Sequence, residues 1–158
     1  MRTIPLTELP NLVGQELGVS EWTPIDQERV NRFAEATGDH QWIHVDVGRA
    51  TAELGGTIAH GYLTLSLIPM LSQSMIAFEG VTRGINYGCN RVRFTNIVRV
   101  PARVRLRQAV LACDKRAGGL QLVTECTVEI EGETRPACVA ETVAILYGER
   151  APRPERGA

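Results

Sequence analysis

The sequence predicts an α+β fold in which a curved antiparallel sheet wraps around one long helix. Three observations carry that prediction. The run from Gly61 to Phe78, GYLTLSLIPMLSQSMIAF, is apolar on most faces, as a helix covered on all sides must be. After Gly80 the pattern switches to an alternation of period two, the mark of half-buried strands. The 158 residues are 44% apolar and 22% charged, the composition of one ordinary globular domain with enough chain for a real core.

Residues 1–22 carry Pro5, Pro10, Gly14 and Gly18 and are read as an irregular lead-in with an early strand or loop. The first helix starts after Asp26, a suitable N-cap, with Glu28 in its first turn. Val30, Phe33 and Ala34 share one face at helical spacing, and Gly38 closes the helix as the residue that takes a left-handed backbone cheaply. A polar loop from Asp39 to His44 follows, then a short helix near Val47–Glu53. Leu54-Gly55-Gly56 lets the chain bend sharply into the long Gly61–Phe78 helix.

The strands come next. Arg91-Val92-Arg93-Phe94 and Arg103-Val104-Arg105-Leu106-Arg107 alternate charged and apolar residues. Asp114–Gly119 reads as a hairpin loop. Beyond it, Leu120, Leu122, Thr124, Cys126, Val128 and Ile130 form an inward face, with Glu125, Glu129 and Glu131 pointing outward. Folding about the loop sets arginines opposite glutamates, which supports antiparallel pairing. Glu131-Gly132-Glu133 turns into a last strand, Ala137–Tyr147, with Val139, Val143 and Ile145 on one face. The long helix is the one element able to cover these strands, and the resulting arrangement is a hotdog fold. It is expected to occupy 1–148 as a single domain. The Pro/Arg/Gly-rich tail, 149–158, is expected to be disordered.

Composition excludes several functions. A net charge of −1 offers no broad basic surface for nucleic acid or an anionic membrane. Ser, Thr, Gln and Pro69 interrupt the apolar run, which therefore reads as a buried helix rather than a membrane span. The four cysteines, Cys89, Cys113, Cys126 and Cys138, form no C-x-x-C pair, so no zinc or redox motif is present. They are read as reduced thiols, and with no signal-type leader a cytoplasmic setting is expected. There is no P-loop and no dinucleotide fingerprint.

The chemistry concentrates in one stretch. All three histidines, His40, His44 and His60, lie within 21 residues of one another, beside Asp39. A carboxylate and an imidazole five residues apart in a loop can converge on one water or one substrate atom as an acid/base pair. The alternative is that Asp39 braces the loop and His44 is a satisfied buried histidine; residue types alone leave both open. Gly61, if it opens the long helix, offers an unpaired amide at the positive end of the helix dipole. Alternatively it only permits close helix–sheet packing. His60 reads as an N-terminal brace. A metal is not expected: His40 and His44 follow a helix end and lack the H-E-x-x-H glutamate.

At Ala36-Thr37-Gly38-Asp39-His40-Gln41-Trp42-Ile43-His44 the chain resembles the MaoC-like, (R)-specific enoyl-CoA hydratase family. That family's pattern is Gly-Asp-x-Asn-Pro-(Ile/Leu/Val)-His with a small residue further on. Gly38, Asp39, Ile43, His44 and Ala50 match; Gln41 and Trp42 stand where asparagine and proline are usual. A His-Gly pair, His60-Gly61, opens the long helix as in the family. Within the family the chain is similar to mycobacterial-type stand-alone hydratases and NodN-like proteins, which share an I-N-Y-G-x-N segment, here Ile85-Asn86-Tyr87-Gly88-Cys89-Asn90.

The resemblance implies addition of water to trans-2-enoyl-CoA thioesters. Asp39 and His44 become the pair that activates water and returns a proton to the α-carbon, and Gly61 the amide that polarises the thioester carbonyl. Gln41, Ile43, His60, Asn86 and Tyr87 become candidate substrate contacts. Pro69 stands where some relatives carry a helix serine, so that role does not transfer. No cofactor is expected beyond the coenzyme A of the substrate, whose phosphates would need local arginines, with Arg91, Arg93 and the tail as candidates. Two other classes compete. A hotdog thioesterase would need an acidic residue near the long helix, and Tyr62–Ala77 contains none. A non-catalytic partner subunit would have no need of both Asp39 and His44. One hotdog unit leaves a sheet edge and a helix flank exposed, which predicts a homodimer with two sites.

Overall fold

The computed structural model describes residues 1–116 and 118–148. The chain runs β1 (Arg2–Pro5), a 3-10 turn (Leu6–Leu12), β2 (Glu16–Val19), β3 (Thr23–Ile25) and α1 (Gln27–Thr37). Next come α2 (Trp42–Val45), α3 (Val47–Leu54), α4 (Gly61–Ser66) and α5 (Ile68–Met75). The strands β4 (Ile76–Glu79), β5 (Val81–Phe94), β6 (Ala102–Arg116), β7 (Gly119–Ile130) and β8 (Cys138–Gly148) complete it.

The main sheet has the order β2-β6-β7-β8-β5, with β3 also on β6, and every pairing is antiparallel. It curves around α4 and α5, the hotdog arrangement. The expected 149–158 tail lies outside the described residues.

Local chemistry sets the helix ends as expected. The Asp26 carboxylate accepts the Arg29 amide at 2.8 Å, and Gly38 closes α1 with φ 79° and its N–H on Ala34 O. The arginine and glutamate rows face each other: Arg105 meets Glu129 at 2.6 Å, Arg107 meets Glu129 at 2.9 Å, and Arg103 meets Glu131 at 2.9 Å.

Four expectations need correction. The long helix does not reach Phe78. It ends at Met75, because Ile76–Glu79 pairs in parallel with Arg2–Pro5 as a separate two-stranded ribbon. It also carries a break at Leu67, just before Pro69, whose missing N–H cannot close the helical ladder. Residues 1–22 are more ordered than composition suggests, since two of their segments pair with partners distant in sequence. Arg91–Phe94 is not half-buried: β5 lies at the sheet edge with β8 as its neighbour, and most of it is exposed. The helix-facing row of β8 contains Cys138 and Ala140 rather than Val139. Both faces of that strand are apolar, so a period of two does not choose between them.

The core divides in two. One cluster packs Leu63, Leu67, Ile68 and Leu71 against Val104, Leu106, Val128 and Cys138. The other gathers Ile4, Leu9, Leu17, Ile76, Val110, Leu122 and Leu146. The first cluster supports the start of α4, where the polar side chains converge.

Candidate active site

The polar stretch after α1 folds back onto the N-terminus of α4. Gly38 releases the chain, and α2 places His44 on a single helical turn instead of in an open loop. His44 is buried. Its Nδ1–H donates to the Ile58 carbonyl at 2.7 Å, which fixes the tautomer and leaves Nε2 as the basic nitrogen. Burial pushes the His44 imidazole below its ordinary range. The Ile58 hydrogen bond opposes that, neighbouring His60 reinforces it, and Asp39 opposes it.

Asp39 is exposed, and its carboxylate accepts the Gln41 amide at 3.4 Å. One ligand-type atom from each of Asp39, His44 and His60 lies within 4.8 Å of the others. The sequence pair thus becomes a trio. His60 is buried, and its Nε2–H donates to the Asp39 backbone carbonyl at 3.0 Å. Its ring stacks on His44 with centroids 3.7 Å apart and packs near Phe33 at 5.0 Å. Its Nδ1 has no hydrogen-bond partner among the described residues. His60 ties the Asp39 loop to the start of α4. It does not brace the helix amides, since its ring makes no cap hydrogen bond.

The trio also bears on metal binding. A shared ion would sit ~2.0–2.2 Å from each donor. The two imidazoles stack with planes 25° apart, so their in-plane lone pairs run side by side rather than converging. The arrangement suits proton transfer better than coordination.

Gly61 is the first residue of α4, so no intrahelical carbonyl reaches its amide. A Cβ at this position would lie 2.9 Å from the Phe94 ring. The two sequence readings of Gly61 therefore coexist: the glycine permits close packing, and its amide stays available. Gly61, His44, Thr64, Phe94 and Asn96 line a cavity of about 290 Å³.

The other candidates spread out. Ile43 is half-buried and its carbonyl accepts the Ile58 amide, a structural contact. Gln41 is exposed at the start of α2. Asn86 and Tyr87 line a second, larger groove beyond Leu65. His40 points toward Glu35, 3.9 Å away. Arg91 pairs with Glu141 at 2.8 Å, and Arg93 donates to the adjacent Val92 carbonyl, so each already has a partner.

Sequence reasoning missed Gln27. Its amide donates to the His44 carbonyl at 2.7 Å and accepts the Thr57 hydroxyl at 2.5 Å. It bridges α1, α2 and the segment before α4. No local pattern signals such a bridge, because its partners lie 17 and 30 residues away.

Comparison with known proteins identifies the family. Residues 8–133 match the MaoC like domain. The chain is 47% identical over 146 residues to 3-hydroxyacyl-thioester dehydratase Z of Mycobacterium tuberculosis, covering 90% of this chain and 97% of that protein. It is 48% identical over 161 residues to Nodulation protein N of Rhizobium meliloti, covering 99% and 100%. The unliganded R-hydratase PhaJ1 of Pseudomonas aeruginosa has the same fold, with a TM-score of 0.73 at 23% identity over 98% of this chain and 96% of that one. The motif around Asp39 and His44, the hotdog fold and these relatives together place the chain in the MaoC-like domain family of hotdog hydratases and dehydratases.

Proposed function

We propose that the chain adds water reversibly to trans-2-enoyl-CoA thioesters to give (R)-3-hydroxyacyl-CoA. The observation that carries this reading is the approach of Asp39 and a tautomer-fixed His44 beside the opening amide of α4. The (R) configuration and the thioester class come from the family and its named relatives.

Hydration of a conjugated thioester needs three things: a positioned water, a proton for the α-carbon and a site for developing oxyanion charge. The Asp39–His44 pair takes a proton from water as its oxygen bonds to C3. The electron pair of the double bond moves toward the thioester, giving an enolate-like state. The Gly61 amide donates to that oxygen. C2 then takes a proton from the same pair, so the elements of one water end on C3 and C2. This sequence requires no resident cofactor, and coenzyme A enters as part of the substrate.

A homodimer completes the reading. Ile85, Tyr87 and Phe94 on edge strand β5 are exposed, as are Tyr62 on α4 and Met70 on α5. A second copy would cover this edge and flank.

Crotonyl-CoA tests the activity. Loss of the conjugated-enoyl absorbance without release of free thiol is the expected result. Thiol release would instead indicate a thioesterase, and no change in either signal would remove the hydratase reading.

A further inference from the structure

The larger groove, about 890 Å³ in the single chain, runs between α5 and β5, and the second copy expected on this edge would roof it at Ile85 and Tyr87. It continues the face of the helix that carries Gly61. Gly61, Leu65, Ile68 and Ser72 follow at intervals of four, three and four, which puts them in one row, and the last three line the groove. On the reading above, a thioester carbonyl held at Gly61 would send its acyl chain down this row.

The floor of the groove is unusual for an acyl pocket. Inward positions of β6, β7 and β8 are mostly apolar, yet Gln108, Thr124 and Thr142 interrupt them at one place. Gln108 and Thr124 are 6% and 3% exposed. The Ser72 hydroxyl donates to Gln108 Oε1 at 2.8 Å, Gln108 Nε2 donates to Thr124 Oγ1 at 2.9 Å, and Thr124 and Thr142 share a hydrogen bond at 2.9 Å. This belt separates the two apolar clusters of the core. Burying such groups is costly unless they are bonded. A carboxamide has two donor hydrogens and two acceptor lone pairs; these bonds engage one of each on Gln108, while the buried Cys126 thiol lies against the Thr124 and Thr142 hydroxyls at 3.5 and 3.6 Å. Among the described residues, no Asp, Glu, Lys or Arg lines the groove.

We propose that this groove selects acyl chains bearing a neutral oxygen function, a hydroxyl or a ketone, near their far end, which bonds to the Ser72–Gln108–Thr124–Thr142 belt. The proposal deepens the hydratase reading and rests on it for the position of the thioester. Gly61 to Ser72 is roughly 16 Å by helical rise. At about 1.2 Å per extended single bond, that spans roughly a dozen carbons. A plain alkyl end would leave the spare polar capacity unpaired. A carboxylate end would be desolvated without a cation.

Calorimetric binding of dodecanoyl-CoA, ω-hydroxydodecanoyl-CoA and the ω-carboxy analogue to the full chain tests this directly. The hydroxylated chain should bind about tenfold tighter than the plain one, the worth of one good hydrogen bond, and the ω-carboxy chain weakest. Thr142→Val, nearly isosteric, and Ser72→Ala should each shrink that ratio toward one. Equal or tighter binding of the plain chain to the unmodified protein would overturn the proposal. A ratio that survives both substitutions would overturn the assignment to this belt, and no binding of any chain would overturn the groove as an acyl site. Selective binding without turnover of crotonyl-CoA would sink the hydratase reading while leaving the groove's preference standing.

Discussion

The two ends of the α4–α5 segment are polar in different ways. At the N-terminal end, titratable groups meet: Asp39, His44 and His60 approach within 4.8 Å of one another, and two imidazoles stack. At the C-terminal end, the neutral groups of Ser72, Gln108, Thr124 and Thr142 bond to one another. The first arrangement is suited to moving protons, because an imidazole that titrates near neutral pH exchanges them readily. The second holds its groups in place and has no proton to exchange near neutral pH. One segment thus presents its titratable end to the smaller cavity and its neutral polar end to the larger groove.

The largest effects should come from the reactive end. Asp39→Asn and His44→Ala should each lower turnover of crotonyl-CoA by ~10²-fold or more while circular dichroism stays close to the parent; His44→Ala, which empties a buried and hydrogen-bonded position, should also lower the melting temperature. Near-normal rates in both would erase the distinction between the two ends.

Gly61→Ala comes next. The added methyl meets the Phe94 ring at 2.9 Å, and overpacking of this kind costs about 1–3 kcal/mol. Both stability and activity should fall. Phe94→Leu in the same chain should restore melting temperature more than activity, because the amide stays displaced even when the clash is relieved.

The pH dependence follows from His44. Burial lowers its pKa, so the neutral base persists through neutral pH and is lost as pH falls through that lowered value. The acid limb of kcat/KM should therefore have its midpoint below the ordinary imidazole value of about 6.5. Asp39 raises the His44 pKa, so removing its charge should move the His44 titration further down. NMR titration of the ring in Asp39→Asn checks the sign; an upward movement would contradict the geometry.

The smallest effect belongs to structure remote from both ends. Asp26→Ala removes the cap of α1 and should cost about 1 kcal/mol in denaturant unfolding. Activity should change little, since the Asp26 side chain bonds the Arg29 amide and no group of the site.

Much of the reactive end was legible in the sequence. Asp39 and His44 lie five residues apart after a glycine-closed helix, so short-range rules bring them together. The pairing of arginines with glutamates across β6 and β7 was legible for the same reason, because a hairpin makes register a local matter. The end of α5 at Met75 was not, since it depends on β1, which lies more than seventy residues earlier in the chain. Gln27 and the Ser72–Gln108–Thr124–Thr142 belt were missed alike, and His60, named as a brace and a substrate contact, was not expected to stack on His44. Each polar side chain looks like an ordinary interruption in its own segment, and only its partner gives it a role.

The sequence by itself determined the helix caps, most of the alternating strands, the α+β class and the closeness of Asp39 and His44, because each depends on neighbours within about one hairpin of chain. Tertiary structure decided which strand became the exposed edge, that His60 stacks on His44, and that four isolated polar residues meet on the floor of one groove. Those outcomes depend on packing between distant segments, and a side chain's burial and hydrogen-bond partners are fixed only when that packing is complete.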